Sequence, residues 1–211
     1  DKKGFRGFVK KWYTRILRLF LNGLYDAVIE VTPKQKEWMI SEYKIKEDKI
    51  FLVPNGIDKS YLANELVEHK KEEKVVISFT GRMEWYKGAQ DVIKALAKLM
   101  NTSKLESDFE FIIMGRAGNY TVKLRDLVEG LNMKEKIRFV YSPTDEERDN
   151  ILLNESQINI LPSKWEATGI VLIEAMAKGN VIISSSGNEG AELLIKEGEN
   201  GFIYNFGDID S

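Results

Sequence analysis

From residue 74 onward the apolar and polar positions switch repeatedly between two periods. Runs rich in β-branched and aromatic residues, Val75–Thr80, Phe109–Met114, Ile137–Val140, Gln157–Leu161, Val181–Ser184 and Gly201–Tyr204, predict strands. Between them apolar residues recur every three or four positions, which predicts helices at about Gly88–Met100, Thr121–Leu131, Asp145–Leu153, Gly169–Lys178 and Gly190–Lys196. This alternation predicts an α/β fold, a doubly wound parallel sheet with helices on both faces. Ligands in such sheets sit beyond the carboxyl ends of the strands, so chemistry is expected in the loops that follow them.

Upstream the pattern is less regular. Ala27–Val31 and Lys49–Val53 predict two short strands, with Thr32 as N-cap and Pro33 as first residue of a helix running to about Tyr43. Pro54-Asn55-Gly56-Ile57-Asp58 reads as a turn, and residues 60–74 are polar and charged. A domain boundary is therefore expected near residue 58, separating residues 1–58 from 59–211, with a linker to about residue 73. At the amino end Phe8, Trp12, Ile16, Leu19 and Phe20 fall at helical spacing, and Lys2, Lys3, Arg6, Lys10, Lys11, Arg15 and Arg18 oppose only Asp1. Two readings stay open for residues 5–20: a surface helix with a solvated cationic side, or an interfacial helix that associates peripherally with anionic membrane.

Composition narrows the function classes. The 211 residues are 43% hydrophobic and 30% charged, enough for one full core and part of a second, which excludes fibrous, disordered and disulfide-framework classes. A net charge of -2 lacks the basic footprint of a nucleic-acid binder, so no nucleic-acid partner is expected. There is no cysteine and one histidine, His69, assigned to the solvated linker; thiolate metal sites, a cysteine nucleophile and histidine-built centres are set aside. The lack of cysteine fits a reducing, cytoplasmic compartment. No apolar run reaches the roughly 18 residues of a membrane span, since Arg18, Asn22 and Asp26 interrupt the most hydrophobic stretch. The chain opens on Asp1, and its natural start is expected to lie upstream.

Two loops carry candidate chemistry. The first, GRMEWYKG at residues 81–88, places Gly81, Arg82 and Lys87 at the entry to a helix. A glycine permits close backbone approach, a helix amino end favours anions, and two cations can neutralise a diphosphate. The second, residues 161–179, holds Glu166 before a helix and Glu174 within it, with Gly169 opening that helix and Ala175 and Ala177 small enough for close packing on the sheet. The Trp85-Tyr86 pair is open to two readings, a sugar-stacking platform or aromatics packed on their own domain.

These segments match a known family. VPNGID (53–58), GRMEWYKG (81–88), IIMG (112–115), PSKWEATGIVLIEAMAKG (162–179) and GAELLIKEGENGFIYNFGD (190–208) occur in the order and spacing of the retaining, nucleotide-sugar-dependent glycosyltransferases with the GT-B fold. The chain resembles the carboxyl-terminal, donor-binding half of that family, preceded by the tail of the acceptor domain and the hinge.

The resemblance implies roles at numbered positions. Arg82 and Lys87 hold the donor diphosphate and stabilise its charge where other enzymes use a metal, so neither metal nor cofactor is expected and the nucleotide sugar is a substrate. Glu174 accepts from the ribose diol, a task suited to a carboxylate's two oxygens. Glu166 faces the donor sugar, with the backbone N–H groups of Thr168, Gly169 and Ile170 lining the same pocket. Met114 and Tyr141, following their strands, supply backbone contacts to the base. Ala167-Thr168 stands where the family often has Pro-Phe, which bears on which sugar fits. The activity implied is sugar transfer to a hydroxyl acceptor, glycan or lipid-linked, with retention of configuration and no metal. This half alone is expected to be inactive, the acceptor domain lying upstream and a closing helical segment downstream. The alternatives are a non-catalytic nucleotide-sugar-binding module or regulatory subunit, and a GT-B sugar epimerase.

Overall fold

A computed structural model describes residues 12–62, 74–102 and 107–210, apart from 14, 19 and 22. Residues 5–11 of the basic segment and the linker from 63 to 73, with His69, lie outside the described residues. The chain divides into two compact units between Asn55 and Gly56, inside the Pro54–Asp58 segment, which is irregular backbone rather than the expected turn.

In the first unit the described residues from 12 to 24 are helical. A β-α-β unit follows: β1 (Val28–Glu30), α1 (Pro33–Tyr43) and β2 (Ile50–Leu52), with β1 and β2 parallel. Thr32 caps α1 as its side chain accepts the Gln35 N–H at 3.2 Å, Pro33 stands in the first turn, and Lys44 ends the helix in the left-handed region. Both strands are shorter than the sequence pattern suggests.

The second unit is built on six parallel strands: β3 (Lys74–Thr80), β4 (Asp108–Gly115), β5 (Ile137–Tyr141), β6 (Ile158–Leu161), β7 (Val181–Ser185) and β8 (Gly201–Tyr204). Their order is β5-β4-β3-β6-β7-β8, so the first strand of the unit is central and the chain crosses to its other side between β5 and β6. The connecting helices are α2 (Ala89–Asn101), α3 (Thr121–Gly130), α4 (Asp145–Asn150), α5 (Ile170–Ala177) and α6 (Glu189–Leu194). Five π-helical residues, Ile151–Glu155, continue α4. Each strand and helix expected from residue 74 onward is present.

Alternation along the strands sends residues to two cores. Phe109, Phe111 and Ile113 of β4 join Phe79, Ile93, Leu96 and Leu124 on the face covered by α2 and α3. Ile112 and Met114 join Leu152, Leu172, Ala175 and Ala191 on the face covered by α4, α5 and α6. Ala175 is fully buried under α5, while Ala177 is only half-buried. A cavity of about 670 Å³ remains on the α2 side among Ile77, Leu96, Ile158, Ile160 and Phe202; none of the expected site residues lines it.

Candidate donor site at the strand switch point

β3 and β6 are neighbours on which the chain reverses its order of winding, the place where doubly wound sheets open a crevice. The loops after them, 81–88 and 162–169, therefore rise side by side. They meet through backbone: Gly88 has φ +80°, a Cβ there would stand 1.9 Å from the Pro162 carbonyl oxygen, and the Lys164 N–H donates to the Tyr86 carbonyl at 2.7 Å. The loop after β7 presses from the other side. Glu166 N–H donates to Gly187 O at 2.9 Å, Glu189 N–H to Glu166 O at 3.0 Å, and Gly190 N–H to Ala167 O at 2.8 Å. A Cβ on Gly187 or Gly190 would lie 1.8 Å from Lys164 O or 1.9 Å from Thr168 O. Loop 162–169 is thus clamped on both sides.

Across this seam Lys87 Nζ and a carboxylate oxygen of Glu166 form an ion pair, with side chains only 15% and 24% exposed. Arg82 is exposed and donates to the Tyr86 hydroxyl at 2.7 Å, while Lys87 Nζ lies 5.7 Å from the centre of the Tyr86 ring. Both expected diphosphate cations therefore lie against one tyrosine. Tyr86 stacks on Trp165 at 5.3 Å, and Trp85 meets Trp165 edge-on at 5.7 Å. Lys164 Nζ lies 5.0 Å from the Trp85 ring centre. The Trp85-Tyr86 pair is thus joined to the second loop through Trp165, and both tryptophans keep about half their surface in solvent, 45% and 53%.

The remaining expected residues fall around this pair. Gly81 donates its N–H to Met114 O at 2.9 Å, and a Cβ on Gly115 would stand 2.1 Å from Gly81 O, so the ends of β3 and β4 cross closely. Met114 does not follow its strand: it lies inside β4 with its side chain fully buried and its carbonyl engaged by Gly81. Tyr141 is the last residue of β5, stacked on Phe139 at 5.9 Å. Thr168 is buried, Gly169 stands at φ +63° as the N-cap of α5, and Ile170 is the exposed first helical residue. Glu174, half a helix further on, contacts Tyr61 and Arg148 rather than Lys87.

The chemistry of this arrangement suits an anion that carries hydroxyls. Lysine, arginine and the amino end of α5 attract phosphate oxygens; the carboxylate oxygens of Glu166 and Glu174 are acceptors for hydroxyls. Thr80 Oγ1 and Ser163 Oγ, at the carboxyl ends of β3 and β6, are buried with no hydrogen-bond partner among the described residues. No cluster of three or more His, Asp or Glu suited to a metal occurs among the described residues.

Three features escaped the sequence pattern: the Gly187–Gly190 wall, the Tyr86–Trp165 stack, and the Tyr61–Arg148 contacts of Glu174. The first carries a signal in hindsight. Asn188 between two glycines is a helix N-cap, its side chain accepting Ala191 N–H at 3.2 Å and donating to Ser184 Oγ at 3.2 Å.

Comparison with known proteins identifies the family and the fold. The family described as Glycosyl transferases group 1 matches residues 63–211, and Glycosyltransferase Family 4 matches residues 2–61. The chain belongs to the group 1 glycosyl transferases. Among similar relatives of this group 1 chain, UDP-Gal:alpha-D-GlcNAc-diphosphoundecaprenol alpha-1,3-galactosyltransferase of Escherichia coli is 26% identical, covering 96% of this chain and 52% of the relative. N-acetyl-alpha-D-glucosaminyl L-malate synthase of Bacillus anthracis is 30% identical, over 78% of this chain and 42% of its own length. Anabaena HepE, solved in complex with UDP, superposes with a TM-score of 0.76 at 19% identity, over 93% of this chain and 54% of that one. The six-stranded parallel unit is thus the fold of GT-B glycosyltransferases. The chain spans about half the length of the curated relatives it matches.

Proposed function

We propose that the complete protein transfers a sugar from a nucleotide-sugar donor to a hydroxyl acceptor, glycan or lipid-linked, with retention of configuration and without a metal. The observation that carries this reading is the Lys87–Glu166 ion pair, formed between two loops at the strand switch point. Each partner stands where the family resemblance puts a donor contact, Lys87 for the diphosphate and Glu166 for the sugar. Without donor they neutralise each other. A diphosphate that engages Lys87 frees Glu166 to accept from sugar hydroxyls, which couples recognition of the two halves of one ligand. Arg82, donating to the Tyr86 hydroxyl, adds a second cation. As the bond from the anomeric carbon to the phosphate oxygen breaks, charge gathers on the nucleoside diphosphate, and two fixed cations lower that barrier. The E. coli relative takes UDP-galactose and HepE binds UDP, so a uridine nucleotide is the first donor class to test.

The test is transfer by the full-length protein from a panel of nucleotide sugars to hydroxyl acceptors, with the product anomer read by NMR and the reaction repeated with a chelator. Glu166→Gln is expected to keep nucleoside diphosphate binding, since it removes the carboxylate that competes for Lys87, and to cut transfer by about 10–150-fold for one lost charged hydrogen bond. Donor binding with no transfer to any acceptor would make the protein a binding module, a changed sugar with no acceptor product would make it an epimerase, and an inverted product would refute retention.

A further inference from the structure

Glu174 does not stand alone. Its Oε1 lies 3.3 Å from the Tyr61 hydroxyl and 3.7 Å from Arg148 Nη2, and Arg148 Nη2 in turn donates to that hydroxyl. Three separate elements supply these groups: the short turn Lys59–Leu62 that enters the unit, α4, and α5. The cluster is anchored further out. Arg148 also pairs with Asp149 at 3.1 Å and Asp145 at 3.0 Å, and Lys178, almost completely buried, sets its Nζ 4.8 Å from the centre of the Tyr61 ring. Glu174 itself is 12% exposed, and the hydrogen bond recorded to its carboxylate falls on Oε1, with none on Oε2 among the described residues.

We propose that Tyr61 and Arg148 are positioning residues of the ribose subsite: they pin Oε1 of Glu174 and so present Oε2 as the acceptor for a ribose hydroxyl of a nucleoside diphosphate. This rests on the reading of Glu174 as the ribose carboxylate. A glutamate has several rotatable bonds, and ordering it on binding takes affinity away; a carboxylate held in advance by one hydrogen-bond donor and one neighbouring cation binds already ordered. Both supports are suited to the task. Burial first, and then the charge of Glu174, push the Tyr61 phenol up to about 12, so at neutral pH it keeps the proton it donates. Burial works against the charge of Arg148, but Glu174, Tyr61 and Asp149 outweigh it and hold its pKa above the ordinary guanidinium value. Asp149 lies 3.3 Å from the Tyr61 hydroxyl as well, but it takes hydrogen bonds from Arg148 at 3.1 and 3.2 Å, whereas Arg148 stays 3.7 Å from Glu174, whose one hydrogen bond among the described residues is the one from Tyr61.

The test measures ribose recognition itself. Calorimetry on the full-length protein compares UDP with 2′-deoxy-UDP, and GDP with 2′-deoxy-GDP, taking the ribo-to-deoxy affinity ratio for the base that binds more tightly. Wild type is expected to favour the ribonucleotide by about tenfold or more, the value of one hydrogen bond to a charged group. Glu174→Gln should bring the ratio close to one; if it does not, Glu174 is not the ribose carboxylate and the underlying reading fails by itself. With that ratio lost in Glu174→Gln, Tyr61→Phe and Arg148→Met should each lower it by about threefold or more while changing deoxynucleotide affinity by less than about twofold. Equal losses for both nucleotides would show a merely structural role and overturn the proposal. Tighter ribonucleotide binding by Tyr61→Phe would also overturn it, since the hydroxyl would then be occupying the place of the ribose. Tyr61→Phe keeps the ring that Lys178 packs on, so it tests the idea even if Arg148→Met fails to fold.

Discussion

Replacing Gly88 by alanine tests how tightly the two donor-site loops are pressed together. Two costs add at this position. Its φ of +80° lies where an L side chain costs about 1–2 kcal/mol. The new Cβ would also stand 1.9 Å from the Pro162 carbonyl oxygen, a backbone atom that cannot rotate away. Forcing packed groups apart costs about 1–3 kcal/mol, which brings the total to about 2–5 kcal/mol. Gly198 supplies the control: its φ is +74°, and nothing lies within 4 Å of the Cβ position, so Gly198→Ala carries the conformational cost alone. At about 2–4 °C per kcal/mol for a unit of this size, Gly88→Ala should melt about 2–12 °C below Gly198→Ala in scanning calorimetry. Because Lys87 immediately precedes the glycine, Gly88→Ala should also weaken UDP binding at a temperature where both variants are folded, and Gly198→Ala should not. Equal melting losses in the two variants would refute the close approach.

Arg82→Ala and Lys87→Ala should each weaken nucleoside diphosphate binding by about 1.5–3 kcal/mol and the bare nucleoside far less, measured by calorimetry; equal losses for nucleoside and diphosphate would remove both from the phosphate site. If residues 5–20 dock on membrane, the full-length protein should sediment with vesicles containing anionic lipid, and less so as salt rises, each basic residue contributing about 1 kcal/mol. Binding indifferent to lipid charge and salt would leave a solvated helix. In the described part of that segment Trp12, Tyr13 and Phe20 are exposed and Arg18 pairs with Glu42 at 3.6 Å, so Arg18 is the basic residue there already engaged by the protein.

The fold was legible because its determinants are local. Strands such as Phe109–Met114 read as apolar and β-branched runs because both faces of a parallel sheet are buried, and the Thr32-Pro33 helix start was readable because a cap bonds within its own turn. Where Arg82, Lys87 and Glu166 sit was legible, because each stands in a loop whose start is fixed by the strand before it. What was not legible depends on pairs distant in sequence. Lys87 and Glu166 are separated by 79 residues, Tyr61 and Glu174 by 113, and no periodicity announces that either pair meets. The carboxyl ends of β4 and β5 lie one residue beyond what the pattern predicts, at Gly115 and Tyr141, because strand ends are set by pairing with the neighbour: Gly115 stands in register with Tyr141, so Met114 and Tyr141 both lie inside the sheet.

The distribution of glycines bears on how a donor would be accepted. Gly88, Gly187 and Gly190 sit where backbone meets backbone, so loop 162–169 has no room to shift on either side, and three hydrogen bonds join it to loop 186–190. A loop held in this way recognises ligand by exchange of side-chain partners rather than by moving its main chain. The ion pair on its edge is suited to such an exchange: Lys87 and Glu166 are partly exposed, so neither is so deeply buried that separating them strands a charge. Arg82 and Tyr86 offer the same kind of exchange, since a phosphate oxygen accepts from a guanidinium more strongly than a neutral phenol does. Rigidity of the backbone and lability of the two polar contacts are therefore complementary. The clamp holds the amino end of α5 at the seam, and the side chains across it are free to change partners, as the proposed diphosphate site requires.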